Sequence, residues 1–423
     1  MTMGDATLTS ADAPGIEDRD LLMHQLAKAK RRARLWAFAL ATPLLAYLLV
    51  ILLAPIAVLL VRGVENPEVV SALPRTARAL DGWDEAMTAP PRAFTALALD
   101  LSQLPGGGGQ AGGLARRLNT ETPGARSLVM NTFRAMPLPP GLSDEEYRRR
   151  ILEIDPRWNE GKYWIAIAKN GSRWTPDYLL TALDLQREAG HIVAVDPSRA
   201  VFTKILWRTC STSFIVTLWC LLLAYPLAYW LSSLPARKAN LLMILVLVPF
   251  WTSILVRIAA WIVLLQREGL INHGLQNLGI INDPLALLFN RTGVVIAMVH
   301  VLLPFMILPL YSVMKSVPST FQRAAVSLGS TPIAAFWRVY VPQTYAGIGA
   351  GALMVFILSI GYYVTPALLG GADDQMLSYY VAQYINVDVN WGVAAALSTV
   401  LLATTLVLYA LYRRLLKTEL SMT

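Results

Sequence analysis

Six apolar windows, at about 35–61, 208–231, 240–265, 292–314, 345–369 and 392–412, limit what this chain can become. Each is long enough to cross roughly 30 Å of hydrocarbon as a helix, which takes about 20 residues. A bilayer offers backbone N–H and C=O groups no water, so a helix is the element such a segment must adopt. Of the 423 residues, 55% are hydrophobic and 15% charged, too apolar for a soluble chain of this size. The expected fold class is an all-α polytopic membrane protein with six transmembrane helices.

Lys and Arg in short loops set the orientation. Lys28, Lys30, Arg31, Arg32 and Arg34 precede the first window, and Arg237 and Lys238 separate the second and third. Lys315, Arg323 and Arg338 lie in the loop 315–344, and Arg413, Arg414 and Lys417 close the chain in a tail at 413–423. The opposite loop, 370–391, holds Asp373, Asp374 and Asp388 and no Lys or Arg. Both termini and the 315–344 loop are therefore expected in the cytoplasm. The net charge of +8 mostly reports this bias, so the partner implied is a lipid bilayer and no nucleic acid. Residues 1–34 become basic towards the first window and read equally as an interfacial anchor or as an orientation signal. The window 35–61 is longer than a signal-peptide core and follows a long polar segment, so it is expected to stay.

Residues 62–207 form a hydrophilic insertion on the outer face, too long for a loop without structure of its own. The run Pro105 to Gly113 reads as a flexible linker, and it lacks the Gly-Lys-Ser/Thr ending of a phosphate loop. Beyond it, Ser143 to Glu146 fits a capping box before Tyr147 to Ile154. Tyr163 to Ala168 alternates like a strand ending at Asn170-Gly171, and Thr175-Pro176 opens a helix. A small α+β unit is expected, able to touch an outer partner or to shield the outer mouth. Cys210 and Cys220 lie ten residues apart in one expected helix, about 15 Å, too far for a disulfide.

The 315–344 loop is the most specific stretch. Pro318 suits a first helical turn, Gly329 a left-handed cap, and Thr331-Pro332 an N-cap followed by a Pro that restarts a helix. The order Arg323-Ala324-Ala325, three residues, Gly329, nine residues, then Val339 to Pro342 resembles the cytoplasmic coupling loop of ABC-importer permeases, E-A-A-x3-G-x9-I-x-L-P. The spacing is kept in full. Val339 and Val341 are conservative replacements, whereas Arg323 stands where the family has Glu. The resemblance implies docking on an ATPase, with Ala324, Ala325 and Gly329 permitting close approach, Phe321 and Leu328 as apolar knobs, Pro342 closing the motif, and one polar contact altered at Arg323.

Within the apolar windows, Arg257 follows Pro249 to Val256 and is a charge that either lines a pathway or snorkels to the outer interface. His300, between Pro304 and the start of its window, is expected first to hydrogen-bond a neighbouring helix and otherwise to line the path. Trp251, Trp261, Tyr362 and Tyr363 are candidates for presenting aromatic faces to a cation or for interface belts.

The stretches Cys220 to Tyr229, Pro249 to Arg257 with Ala260-Trp261, Gly269 to Asn272, Leu369 to Gly371 and Asn390-Trp391 look like the spermidine/putrescine branch of those permeases, over about 200–412. The family implies a type I importer fold in the bacterial inner membrane, with a permease core at 208–412 and the insertion as an addition. It also implies a second, distinct permease as the other half of the pathway, an ABC ATPase dimer that holds ATP and Mg, and a periplasmic substrate-binding protein. No catalytic residue, cofactor or metal is expected in this chain. Related branches carry opine-like amines, iron, thiamine or phosphonates. A secondary transporter is disfavoured because the windows hold no Asp or Glu and show no paired repeats. A membrane enzyme is disfavoured because H-E-x-x-H, G-x-S-x-G and Cys/His clusters are missing.

Overall fold

A computed structural model describes residues 16–84, 88–105, 108–188 and 191–420. It divides into two units, Met1–Leu59 and Leu60–Thr423. The described part of the first is most of helix α1 (Ile16–Arg62), which carries Pro43 and Pro55 and exposes Leu40, Leu44 and Leu52 among other large apolar side chains. A helix apolar on all sides is built for lipid.

The second unit begins with the insertion, which is helical where described apart from one hairpin. Helices α2 (Pro67–Ala72), α3 (Pro74–Ala79), α4 (Pro91–Gln103), α5 (Gly109–Glu121), α6 (Ala125–Arg134), α7 (Asp144–Ile154), α8 (Gly161–Lys169) and α9 (Asp177–Ala182) precede strands β1 (Leu185–Glu188) and β2 (His191–Ala194). Their shared core holds Phe94, Trp158 and Trp164, with ring centroids 4.6 Å apart for Phe94 and Trp164 and 5.0 Å for the two tryptophans. Both indoles are satisfied: Trp158 Nε1 donates to Thr132 Oγ1 at 2.8 Å, and Trp164 Nε1 to the Trp158 carbonyl at 2.8 Å. The capping box at Ser143 and Glu146 forms as expected.

Two expectations for this region fail. Tyr163 to Ala168 is helix α8, with Tyr163, Trp164, Ala166 and Ile167 buried at helical spacing, and alternation over six residues mimicked a strand. The glycine run is no linker in its described part. Gly109, Gly112 and Gly113 open α5, whose Ala111, Leu114, Ala115 and Leu118 bury one face, and that burial outweighs the poor helix propensity of glycine. Gly106 and Gly107 lie outside the described residues.

The insertion is tied down at both ends. Thr175 N donates to Val64 O and Asn66 N to Arg173 O, each at 2.8 Å. The Tyr178 ring packs on Gly392, where a Cβ would stand 2.4 Å from ring carbons. Asp184, at a φ of +55°, reaches the start of α10 (Phe202–Ser233) and accepts from the amides of Val201, Phe202 and Thr203 and from Thr203 Oγ1 at 2.6–3.1 Å.

The membrane core packs α10 against α14 (Arg291–Ser316) and α18 (Tyr345–Ile360). Small residues set the approach: Cys220, Ala224 and Ala228 are fully buried on α10, and a Cβ on Gly351 would lie 2.7 Å from Met306 Sδ. The third expected window is broken. α11 (Ala236–Leu247) passes through a 3₁₀ turn at Val248–Trp251, containing Pro249, into α12 (Ile254–Leu265), and α13 (Leu270–Asn277) completes a pair bent by 96°. Pro249 lacks the N–H that would continue the ladder. The fifth window ends at Ile360, and α19 (Val364–Leu369) is a separate turn. Helices α15 (Ser319–Ser327), α16 (Pro332–Ala335) and α17 (Val341–Gln343) lie in the 315–344 loop, α20 (Leu377–Asn386) follows α19, and α21 (Trp391–Leu420) comes last in the described residues. Among the described residues four helices are long and apolar enough to cross a membrane, six if each of two bent pairs is one span.

Gly351→Leu forces a side chain into the α14 contact, so we expect a stability loss of about 1–3 kcal/mol, read as a lower thermal midpoint in detergent. An unchanged midpoint contradicts the close approach. Burial opposes ionisation of Asp184, but its hydrogen bonds to Thr203, Phe202 and Val201 outweigh this and hold the carboxyl below its ordinary range. The resulting stabilisation is complete above the unfolded carboxylate value of about 3.9 and is lost as pH falls through the lower folded value. Asp184→Asn should therefore cost about 1–2 kcal/mol at neutral pH. The gap to the parent should shrink in melts taken below about pH 4.

Candidate functional site

The 315–344 segment begins where Lys315, in the last turn of α14, donates to the carbonyls of Ser232 and Leu234 at 3.1 and 3.0 Å. An ammonium there satisfies orphan acceptors at the C-terminal end of α10 and ties two helix ends together. Pro318 then caps α15 (Ser319–Ser327). The helix stops in a Schellman motif: Ser330 N donates to Ala325 O at 3.1 Å, and Gly329 N to Val326 O at 3.0 Å. Gly329 has a φ of +91°, the left-handed conformation its position implied. Among the described residues, its chain neighbours aside, no atom stands within 4 Å of where its Cβ would be. Thr331 Oγ1 accepts from Ala334 N at 3.3 Å and starts α16 (Pro332–Ala335), followed by a π turn at Phe336–Tyr340 and α17 (Val341–Gln343).

An aromatic cluster anchors this hairpin. Phe336 meets Tyr229 at 5.2 Å and stacks on Tyr340 at 5.7 Å, while Tyr229 also meets Tyr340 at 5.2 Å. Tyr225 lies 3.1 Å from Thr344 Oγ1 through its hydroxyl. The opposite face is apolar and bare. Leu328 is 89% exposed, Ile333 74%, Trp337 64% and Phe321 52%, and α15 buries no residue.

Of the residues picked from the sequence, Phe321, Ala324, Leu328 and Gly329 are exposed, Ala325 is partly covered, and Pro342 is half-buried beside buried Val341. Arg323 turns back to donate to Ser319 Oγ at 2.6 Å. Ile333 and Trp337 were missed, although their spacing of four after Thr331 places them on one face of a helical turn.

Inside the membrane core, Trp261 Nε1 donates to His300 Nδ1 at 3.3 Å, with the rings edge to face at 5.4 Å. This bond joins α12 to α14, the helix-to-helix role expected of His300. Both line a mostly apolar cavity of about 730 Å³ with Trp219, Leu223, Val299 and Leu303. Arg257 lies near enough to interact electrostatically with His300 and with Tyr362. The structure thus gathers Arg257, Trp261, His300 and Tyr362, while Trp251 and Tyr363 stand exposed. On the acidic loop, Asp374 Oδ2 accepts from Gly371 N at 3.0 Å and Arg208 donates to the Asp373 carbonyl.

Residues 221–418 match the family of binding-protein-dependent transport system inner membrane components, a match that begins after the insertion. The spermidine/putrescine transport system permease protein PotB of Salmonella typhimurium strain SL1344 is 34% identical over 225 residues, 52% of this chain and 78% of the relative. Its counterpart in Haemophilus influenzae is 36% identical over 216 residues, 50% and 75% of the two chains. A bacterial alginate ABC transporter crystallised with a periplasmic protein gives a TM-score of 0.41 at 15% identity, covering 50% of this chain and 76% of that one.

Gly329→Val places a β-branched residue in a left-handed turn and should cost about 1–2 kcal/mol by strain, with Gly329→Asn costing less. Amide hydrogen exchange across 325–331 should accelerate in that order. Equal protection in both variants contradicts the cap.

Proposed function

Because the chain belongs to the family of binding-protein-dependent transport system inner membrane components, we propose that it forms half of the translocation pathway of an ATP-driven polyamine importer. It is a multi-pass inner-membrane permease component of an ABC importer, a transport subunit. Our topology has six spans, namely the four long apolar helices, the bent pair from α11 to α13 taken as one, and α18, with both termini and the 315–344 hairpin in the cytoplasm and 62–207 in the periplasm, as the Lys and Arg bias indicates. The second half of the path comes from a different permease, cargo from a periplasmic binding protein, and ATP with Mg is bound by a separate ATPase pair.

The observation that carries this reading is the 315–344 hairpin. It is rigidly capped, anchored on one side by Phe336, Tyr340 and Tyr229, and bare on the other at Phe321, Leu328, Ile333 and Trp337. An exposed apolar face on a stiff polar loop fits a groove on a soluble subunit. ATP-driven closure of that subunit moves the hairpin as a body, and the aromatic anchor transmits the motion to α10.

Spermidine and putrescine are the cargo assigned, on the identity to permeases of those solutes in Salmonella and Haemophilus. The apolar windows hold no carboxylate to bind a polycation tightly, so selection rests with the binding protein. A weak path suits a permease, because cargo must leave as readily as it enters. Deleting this subunit in a strain without another polyamine importer should abolish uptake of labelled spermidine or putrescine, and the parent gene should restore it. Unchanged uptake of both removes the cargo assignment.

A further inference from the structure

Arg257 lies in the first turn of α12, just past the break at Pro249 and within the apolar stretch 240–265. Its Nε and Nη1 are shut off from solvent and have no hydrogen-bond acceptor among the described residues. The groups that feel its charge, His300 on α14 and Tyr362 after α18, are not anions at neutral pH. Its position deepens the cost. The first turn carries the positive end of the helix dipole, and Ser253 supplies no side-chain cap that would offset it.

The residue as a whole is half-buried, and a guanidinium does not shed its proton, so two shut-off donors without acceptors carry a cost that an anion relieves. This chain does not hold that anion at the right depth. From 208 to 412 its acids are Glu268, Asp283, Asp373, Asp374 and Asp388, all between the apolar windows. A polyamine brings ammonium groups and no carboxylate, so the cargo is not the source either.

We propose that a carboxylate from the second permease subunit completes Arg257, joining the two subunits by a charge-assisted pair at the break between α11 and α12. The inference rests on the reading of this chain as half of a permease pair. It also gives the cargo a way to act on the seam. An ammonium group entering beside Trp261 and His300 competes with Arg257 for the carboxylate, loosens the pair while cargo passes, and lets it reform afterwards.

The test uses the whole complex, purified without cargo. Arg257→Met removes the charge at similar length. We expect roughly tenfold less second permease retained, the factor that corresponds to about 1.4 kcal/mol, with the membrane level of this chain unchanged. Neutralising the partner carboxylate, found by Asp→Asn and Glu→Gln changes in the partner's apolar segments, should restore retention in the Arg257→Met complex. Arg257→Cys should regain retention after 2-aminoethyl methanethiosulfonate and not after the 2-sulfonatoethyl reagent. Parental retention in Arg257→Met overturns the proposal, as does equal rescue by both reagents or a defect seen only when an anionic cargo is added. A parent complex that contains no second permease overturns the permease-pair reading itself, which separates the two failures.

Discussion

Close approach of α10, α14 and α18 is the constraint on which the rest depends. Lipid gives no hydrophobic drive to pair helices, so the contact must come from dispersion between backbones that small residues allow to meet. Cys220, Ala224 and Ala228 on α10, and Gly347 and Gly351 on α18, supply that closeness, with Gly351 set directly on Met306. From this core, one end carries Lys315, the Tyr229 to Phe336 contact and the exposed hairpin. The other carries Asp184 capping α10 and Tyr178 lying on Gly392, which seat the insertion on the core.

The hairpin was legible in the sequence because its signals are local. Gly329 and Thr331-Pro332 each demand a backbone state whatever surrounds them, and each adopts it, whereas Pro318 stands extended at the N-cap of α15 rather than in its first turn. The broken third window was not, since hydropathy counts apolar residues and is blind to direction. Pro249 marked a disturbance but not the 96° bend. In the insertion, six residues of Tyr, Trp, Ile and Ala fit periods of two and 3.6 alike, and only the packing of Trp164 against Phe94 and Trp158 decides for a helix. The Gly109 to Gly113 run misled for a related reason, because tertiary burial of Ala111 and Leu114 overrides propensity.

The cluster beside the apolar cavity shows the same division between residue and arrangement. Arg257, Trp261, His300 and Tyr362 were visible singly, whereas their meeting depends on how α12 crosses α14 after the break.

The central claim is that the bare face of the hairpin is where the ATPase docks, and a photo-crosslinking amino acid at Leu328 tests it most directly. In membranes containing the whole transporter, irradiation should join this chain to the ATPase subunit, and crosslinking should change when ATP is added. A probe placed at Trp174, exposed in the insertion, should never reach that subunit. Capture of lipid or of the periplasmic binding protein from Leu328, with no ATPase adduct, would contradict the account.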